Sequence, residues 1–176
     1  MYPMYQYSDK ELKELLTTLT VLIDTREQEN SHIWNYFDMK NIRYQAKKLQ
    51  IGDYSVMLPQ NRNYGITRDL FFPISVERKR SIDELAGTIK ERTRFENELI
   101  RSQKLHFTLL VEDANGYENI IKAKYRSKYE PKALVASLKT FESRYGFSTI
   151  FIPKSVTGDF LYNHFYYYVR NILKFF

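Results

Sequence analysis

Three acids and a lysine punctuate the first half of the chain: Asp53 after Gly52, then Glu77 and Lys79, then Asp83. Side chains alternate along a strand, so Glu77 and Lys79 share one face while Val76 and Arg78 turn to the other. Asp53 falls on the preceding strand of a predicted hairpin and, in a suitable register, sits beside Glu77. Asp83 enters from the first turn of the following helix. Crowding like-charged carboxylates costs free energy, and a hard divalent cation offsets that cost. The chain has no cysteine, so a metal would be held by carboxylates, imidazoles or backbone oxygens, and oxygen ligands favour Mg²⁺ or Mn²⁺. Such a cation binds a non-bridging phosphate oxygen, acidifies an attacking water and stabilises the leaving oxygen. Lys79 adds positive charge for a developing oxyanion or orients the water. The pattern suits phosphodiester hydrolysis. Alone it is degenerate, and in many charged proteins it marks a solvated strand edge.

The elements that must position these residues follow from local signals. Ser8-Asp-Lys-Glu11 is a capping box, which predicts a helix from about Asp9 to Thr17. Leu19 to Asp24 is a compact apolar run that suits a buried strand with Asp24 at its tip. Ser31 to Lys40 reads as a short helix with Ile33, Trp34 and Phe37 on one side. Ile42 to Leu49 and Asp53 to Leu58 read as strands separated by a turn at Gly52, and Phe71 to Lys79 returns after a polar loop over Gln60 to Arg68. Ser81-Ile-Asp-Glu84 is a second capping box opening a helical stretch to about Gln103, with a break near Gly87. Leu105 to Val111 is another buried strand, and Tyr117 to Ile121 a helical turn. Pro131 opens a helix reaching about Tyr145. Ser148 to Ile152 is a short strand and Gly158 to Phe176 a long aromatic helix. Strands interleaved with helices predict an α/β domain with a mixed central sheet flanked by helices. The expected organisation is an N-terminal helical extension over residues 1–18 and a single domain over 19–176.

Composition bounds the partners. Of 176 residues, 27 are Lys or Arg and 21 Asp or Glu, a net charge of +6 that is compatible with a polyanion but does not identify one. No stretch approaches the ~18 consecutive apolar residues of a membrane span, so no membrane partner is expected. Met1 to Tyr7 lacks the cationic head and apolar block of a signal peptide, which makes a cytoplasmic protein the default. The abundance of Tyr, Phe, Lys, Asn and Ile matches an AT-rich bacterial or viral genome.

Lys122, Lys124, Arg126 and Lys128 interleave with Tyr125 and Tyr129, so the cations could hold phosphates while the tyrosines stack on bases or pack on sugars. A solvated loop ahead of Pro131 explains the same residues equally well. Arg94 and Glu98 have the i,i+4 spacing of an ordinary helix pair, and Arg94 counts as a DNA contact only if it reaches the site. His106 alternates with apolar neighbours and reads as structural. Phe160 to Phe176 reads as core, or as a homodimer interface.

One string makes the reading specific. Val76-Glu-Arg-Lys-Arg-Ser-Ile-Asp83 resembles the Glu-Arg-Lys-x-x-x-Asp signature of the XPF-type structure-specific nuclease domain. Ile23-Asp-Thr-Arg-Glu27 is similar to that family's first motif, Gly52-Asp-Tyr54 to its second, and Arg94-Phe95 with Glu98-Leu99 to the helix after the signature. The four pieces keep the family's order over residues 20 to 100. The resemblance implies a restriction-endonuclease-like core and a Mg²⁺- or Mn²⁺-dependent DNA endonuclease, with a homodimer by analogy with the family's paired nuclease domains. It implies metal-ligand roles for Asp53, Glu77 and Asp83 and a catalytic electrostatic role for Lys79. Asp24 and Glu27 follow as supporting metal residues and Arg78 as a supporting catalytic one. Arg80, Arg94, Lys122, Lys124, Arg126 and Lys128 are the expected DNA contacts. Family members that cut branched DNA commonly carry a tandem helix-hairpin-helix module, and no paired glycine hairpins occur here. The expected function is cleavage of branched, flap or boundary DNA in repair or recombination. A catalytically silent DNA-binding scaffold and a sequence-recognising restriction-type enzyme are the alternatives.

Overall fold

A computed structural model describes residues 6–175. The first five residues of the expected N-terminal extension, and Phe176 of the last helix, lie outside the described residues. The chain divides into two compact units. One comprises the described part of Met1–Leu49, Tyr54–Phe72 and the described part of Gly158–Phe176; the other comprises Gln50–Asp53 and Pro73–Thr157.

The first unit begins with α1 (Asp9–Leu16), whose capping box is complete: Ser8 accepts from Glu11 N, and the Glu11 side chain accepts from Ser8 N. Leu12, Leu15 and Leu16 are buried along one face. The strand β1 (Thr20–Ile23) is buried at all four positions, which explains why it reads as an apolar run rather than an alternation. Next come α2 (Ser31–Met39), β2 (Arg43–Ala46), β3 (Tyr54–Leu58) and β4 (Leu70–Phe71). β1 takes β2 as a parallel partner and β3 as an antiparallel one, so β1 lies between the two strands that flank Gly52 in the sequence. Trp34 leaves the buried side of α2 with 41% exposure, while Ile33 and Phe37 are fully buried. The nine-residue helix has room for only those two anchors, and Trp34 rests instead against Tyr44.

The second unit carries three parallel strands in the order β5 (Ile74–Lys79), β6 (His106–Glu112), β7 (Ser148–Ile152). Parallel neighbours need long crossovers. The helices α3 (Ile82–Lys90) and α4 (Arg92–Ser102) make the first, and α5 (Gly116–Ile121) and α6 (Pro131–Tyr145) the second. Their apolar faces meet in a core that includes Leu85, Phe95, Leu109, Leu134, Leu138 and Phe141. The expected returning strand over Phe71 to Lys79 is split into β4 and β5, because Pro73 between them has no N–H to continue a ladder. The helix break falls at Glu91 (φ −77°, ψ 52°), not at Gly87, which stays helical. The last helix, α7, runs over Thr157–Phe175 and buries Leu161, Phe165 and Val169. The fold is α/β, with parallel and antiparallel strand pairs and helices against the strands, as the sequence predicts. No helix among the described residues is long and apolar enough to cross a membrane.

Candidate active site

All six residues of β5 are buried, including the charged run Glu77, Arg78 and Lys79. Burying three charges in sequence requires a partner for each. Glu77 and Lys79, on the same face, answer one another: Lys79 Nζ lies 2.6 Å from Glu77 Oε1, with both side chains 10% exposed. Burial opposes the charge on Lys79, but the Glu77 carboxylate beside it, with Asp53 and Glu84 farther off, outweighs that penalty and holds the ammonium above its ordinary pKa.

Asp53 closes over this strand. Its main-chain N–H donates to Val76 O at 2.9 Å, and its Oδ2 accepts the main-chain N–H of Arg78 at 2.8 Å. The two bonds bracket Glu77. The carboxylate takes the place a main-chain carbonyl would hold in a ladder. Gly52 makes the approach possible with φ +72°, and a Cβ there would stand 2.1 Å from Ser75 Oγ. Ser75 Oγ in turn donates to Ile51 O at 2.8 Å. Asp53, Glu77 and Lys79 are therefore brought together as expected, with Asp53 arriving from a turn rather than from within a strand.

Arg78 is not brought to that face. Its guanidinium pairs with Glu112 at the end of β6, at 3.0 Å with both side chains 1% exposed, and Glu112 also accepts from Thr157 Oγ1 at 2.8 Å. This is the face opposite Glu77 and Lys79 that strand alternation gives Arg78, and there its side chain forms a buried ion pair that braces the underside of β5. Glu112 was not singled out from sequence. Its only signal was an acid ending an apolar strand.

Asp83 also departs from expectation. Ser81 caps α3 by accepting from Glu84 N at 3.2 Å, and Glu84 reaches back to Arg80 N and Nε, both 2.9 Å away. Asp83 Oδ1 accepts the main-chain N–H groups of Arg126 (2.9 Å) and Ser127 (2.7 Å), and Oδ2 lies 3.4 Å from Arg126 Nε. The expected convergence of three carboxylates is corrected accordingly. Two well-placed backbone donors draw Asp83 toward the segment ahead of α6.

Glu98 was passed over as a helix pair for Arg94. In the structure Arg94 pairs with Glu91 at 3.1 Å. Glu98, half-buried on α4, has its pKa raised by burial and then by the charge of Glu77, against Lys79, Arg101 and Arg94. Its sequence signal is the resemblance of Arg94-Phe95 with Glu98-Leu99 to the helix after the signature.

The expected DNA contacts Arg80, Arg94, Lys122, Lys124, Arg126 and Lys128 are all exposed. Arg80 pairs with Glu84, and Lys122 with Glu118. Tyr125 and Tyr129 turn inward against the core, with Tyr125 Oη donating to Tyr129 O at 2.6 Å, so the alternation puts rings in and cations out. Asp24 and Glu27 belong to the first unit. Asp24, 3% exposed, accepts from Arg26 N and Nε through Oδ1 and from Leu49 N at 2.6 Å through Oδ2. Glu27 accepts from Tyr54 Oη at 3.2 Å.

Among the described residues no three acidic or imidazole side chains stand close enough to enclose a cation by themselves. Mg²⁺ seldom needs that: one or two carboxylates suffice, with water and substrate phosphate completing the octahedron. Asp53 and Glu77 supply two carboxylates here, one anchored on the Arg78 N–H and the other holding Lys79 through Oε1. The donor set fits a hard divalent cation.

The family model of the ERCC4 domain matches residues 23–164. No curated protein matches the sequence. Among solved structures the fold is similar to "XPF from Aeropyrum pernix" (TM-score 0.61, 19% identity, 87% of this chain and 66% of that one). It is also similar to "XPF from Aeropyrum pernix, complex with DNA" (TM-score 0.58, 19% identity, 86% and 66%). The chain thus spans just under two thirds of the length of those proteins.

Proposed function

Because the chain belongs to the ERCC4 domain family, we propose that it is a divalent-metal-dependent DNA endonuclease that cuts branched, flap or single-strand boundary DNA in repair or recombination. The observation that carries this reading is the bracketing of Glu77 by Asp53, with Lys79 on the same buried face. A solvated strand edge would expose these charges and leave them to water.

Asp53 and Glu77 are the metal ligands in this reading. Bound Mg²⁺ or Mn²⁺ supplies Lewis-acid activation of the phosphate and of the attacking water. Glu77 keeps Lys79 protonated, and Lys79 presents a fixed positive charge for the phosphoryl oxygens as negative charge builds on them. Arg78 and Glu112 fix the rotation of the strand, so that Glu77 and Lys79 stay on one face. Exposed Lys124, Arg126 and Lys128 bind DNA phosphates, which makes affinity fall with salt. The similarity to a protein whose structure is a complex with DNA accords with that interface.

The test is cleavage of labelled duplex, single-stranded, flap and fork DNA with Mg²⁺, Mn²⁺ or EDTA. Cleavage with metal and none with EDTA is expected, with Glu77→Gln and Lys79→Met each slower by at least ~10²-fold. Equal cleavage by wild type and both variants removes the site assignment, and DNA binding without cleavage under every metal favours a silent scaffold.

A further inference from the structure

Asp83 is the second residue of α3, four positions after Lys79, and the structure gives its carboxylate a task other than ligation. Oδ1 holds two consecutive main-chain N–H groups, those of Arg126 and Ser127, at 2.9 and 2.7 Å. The Arg126 side chain is 93% exposed and touches Asp83 only at 3.4 Å. A surface ion pair of that kind contributes little, whereas two main-chain donors on one ionised acceptor are strong and directional. The grip is therefore on the backbone of the segment.

That segment, residues 124–128, has no helix or strand of its own. Besides Asp83 it is held by Lys124 N on Asn119 O at 2.8 Å, by Tyr129 N on Ser127 Oγ at 3.2 Å and by Tyr125 Oη on Tyr129 O. Tyr125 and Tyr129 pack against the core, while Lys124, Arg126 and Lys128, which alternate with them in the sequence, are exposed. Ring packing anchors Tyr125 and Tyr129, and the Asp83 carboxylate adds a grip on the backbone at the middle cation, Arg126. With Asp83 in place, the row is held to the first turn of the helix that leaves the strand of Glu77 and Lys79.

We propose that Asp83 is a positioning residue for DNA, which fixes the Lys124–Arg126–Lys128 cation row beside the catalytic strand so that a phosphate backbone is presented to it. The inference rests on the endonuclease reading and departs from the metal-ligand role that the sequence resemblance implies for Asp83.

The experiment compares wild type with Asp83→Ala, Asp83→Asn, a Lys124→Gln/Arg126→Gln/Lys128→Gln triple variant, the triple with Asp83→Ala, and Glu77→Gln. DNA affinity is measured by fluorescence anisotropy in EDTA over a salt series, single-turnover cleavage at saturating DNA, and amide exchange at Arg126 and Ser127. The expected result for Asp83→Ala is faster exchange at both amides and affinity weaker by about tenfold, with a saturating rate changed by less than about threefold. Asp83→Asn keeps Oδ1 as an acceptor and restores most of the affinity. The triple variant flattens the salt slope by about 2 to 3, and adding Asp83→Ala to it changes affinity little further, since both act on one contact.

Three results overturn the proposal. Asp83→Asn as inactive as Glu77→Gln at unchanged affinity makes Asp83 a ligand. Additive losses with the triple variant make its role merely structural, and unchanged exchange in Asp83→Ala denies the tether. Failure of the endonuclease reading looks different: wild type then cuts no DNA under any metal, whether or not it binds, and that is read without recourse to a variant.

Discussion

Asp53 Oδ2 accepts the main-chain N–H of Arg78 at 2.8 Å, so the acid is anchored to the backbone on one side of Glu77 while its own N–H is anchored on the other. The same residue thus has a structural and a chemical task, and substitutions separate them. Asp53→Ala leaves the Arg78 N–H without its acceptor and should lower stability by about 1–3 kcal/mol in urea melts. Asp53→Asn retains an acceptor and should stay within about 1 kcal/mol of wild type, yet lose cleavage by at least ~10²-fold. Near-normal cleavage by Asp53→Asn would show that its charge is not needed.

Gly52 sets the turn that delivers Asp53. Gly52→Ala should cost more than about 1 kcal/mol, from a left-handed φ and from contact with Ser75. Combining it with Ser75→Ala relieves the contact at Oγ but not the backbone strain, so about 1 kcal/mol should remain. Full recovery in the double variant, read by thermal melting, would assign the whole cost to the side-chain clash.

The Arg78–Glu112 pair is almost wholly out of water. Arg78→Met strands a buried carboxylate and Glu112→Leu strands a buried guanidinium, so each alone should destabilise by about 3–5 kcal/mol. Together the two apolar replacements should cost much less than the sum, and chemical denaturation around this double-mutant cycle measures the coupling. Simple additivity would mean that the two groups do not act as a pair.

Burial opposes ionisation of Asp24, but the Arg26 side chain, Leu49 N–H and Arg26 N–H outweigh it and hold the pKa below its usual value. A depressed folded pKa contributes stability that is fully present above the unfolded value of about 3.9 and is lost as pH falls through the folded value. Asp24→Asn should therefore destabilise by about 1–3 kcal/mol at pH 7, and the gap to wild type should narrow below about pH 4. The measurement is made in EDTA, where a gap that vanishes at neutral pH would point to ligation as the residue's only role.

Glu98 runs the opposite way. Its folded pKa is raised by burial and by Glu77, so its contribution is present below the unfolded value of about 4.3 and is lost as pH rises through the folded value. Glu98→Gln should raise the melting temperature at pH 7 by about 2 °C or more in EDTA, with the gain fading toward pH 4. A lower melting temperature at pH 7 would show that Glu98 makes a favourable contact worth more than its burial costs.

The string from Val76 to Asp83 is legible because its information is local. Strand alternation puts Glu77 and Lys79 on one face, the Ser81 box starts α3, and apolar runs mark β1 and β6; each of these signals acts over a few neighbouring residues. Tertiary structure alone decided which acids stay near Glu77. Asp53 reaches Arg78 across 25 positions, Arg78 reaches Glu112 across 34, and Asp83 reaches Arg126 across 43. Nothing in strand or helix periodicity selects a partner at those separations. Chain closure selects it, by bringing each charge within reach of whichever donor or acceptor satisfies it best. So the sequence by itself named the acids and the lysine of the site, while the fold set Asp53 on the backbone beside Glu77 and gave Asp83 to the basic segment through main-chain donors, and turned Arg78 inward to Glu112 because a buried charge left unpaired costs more than any local preference can supply.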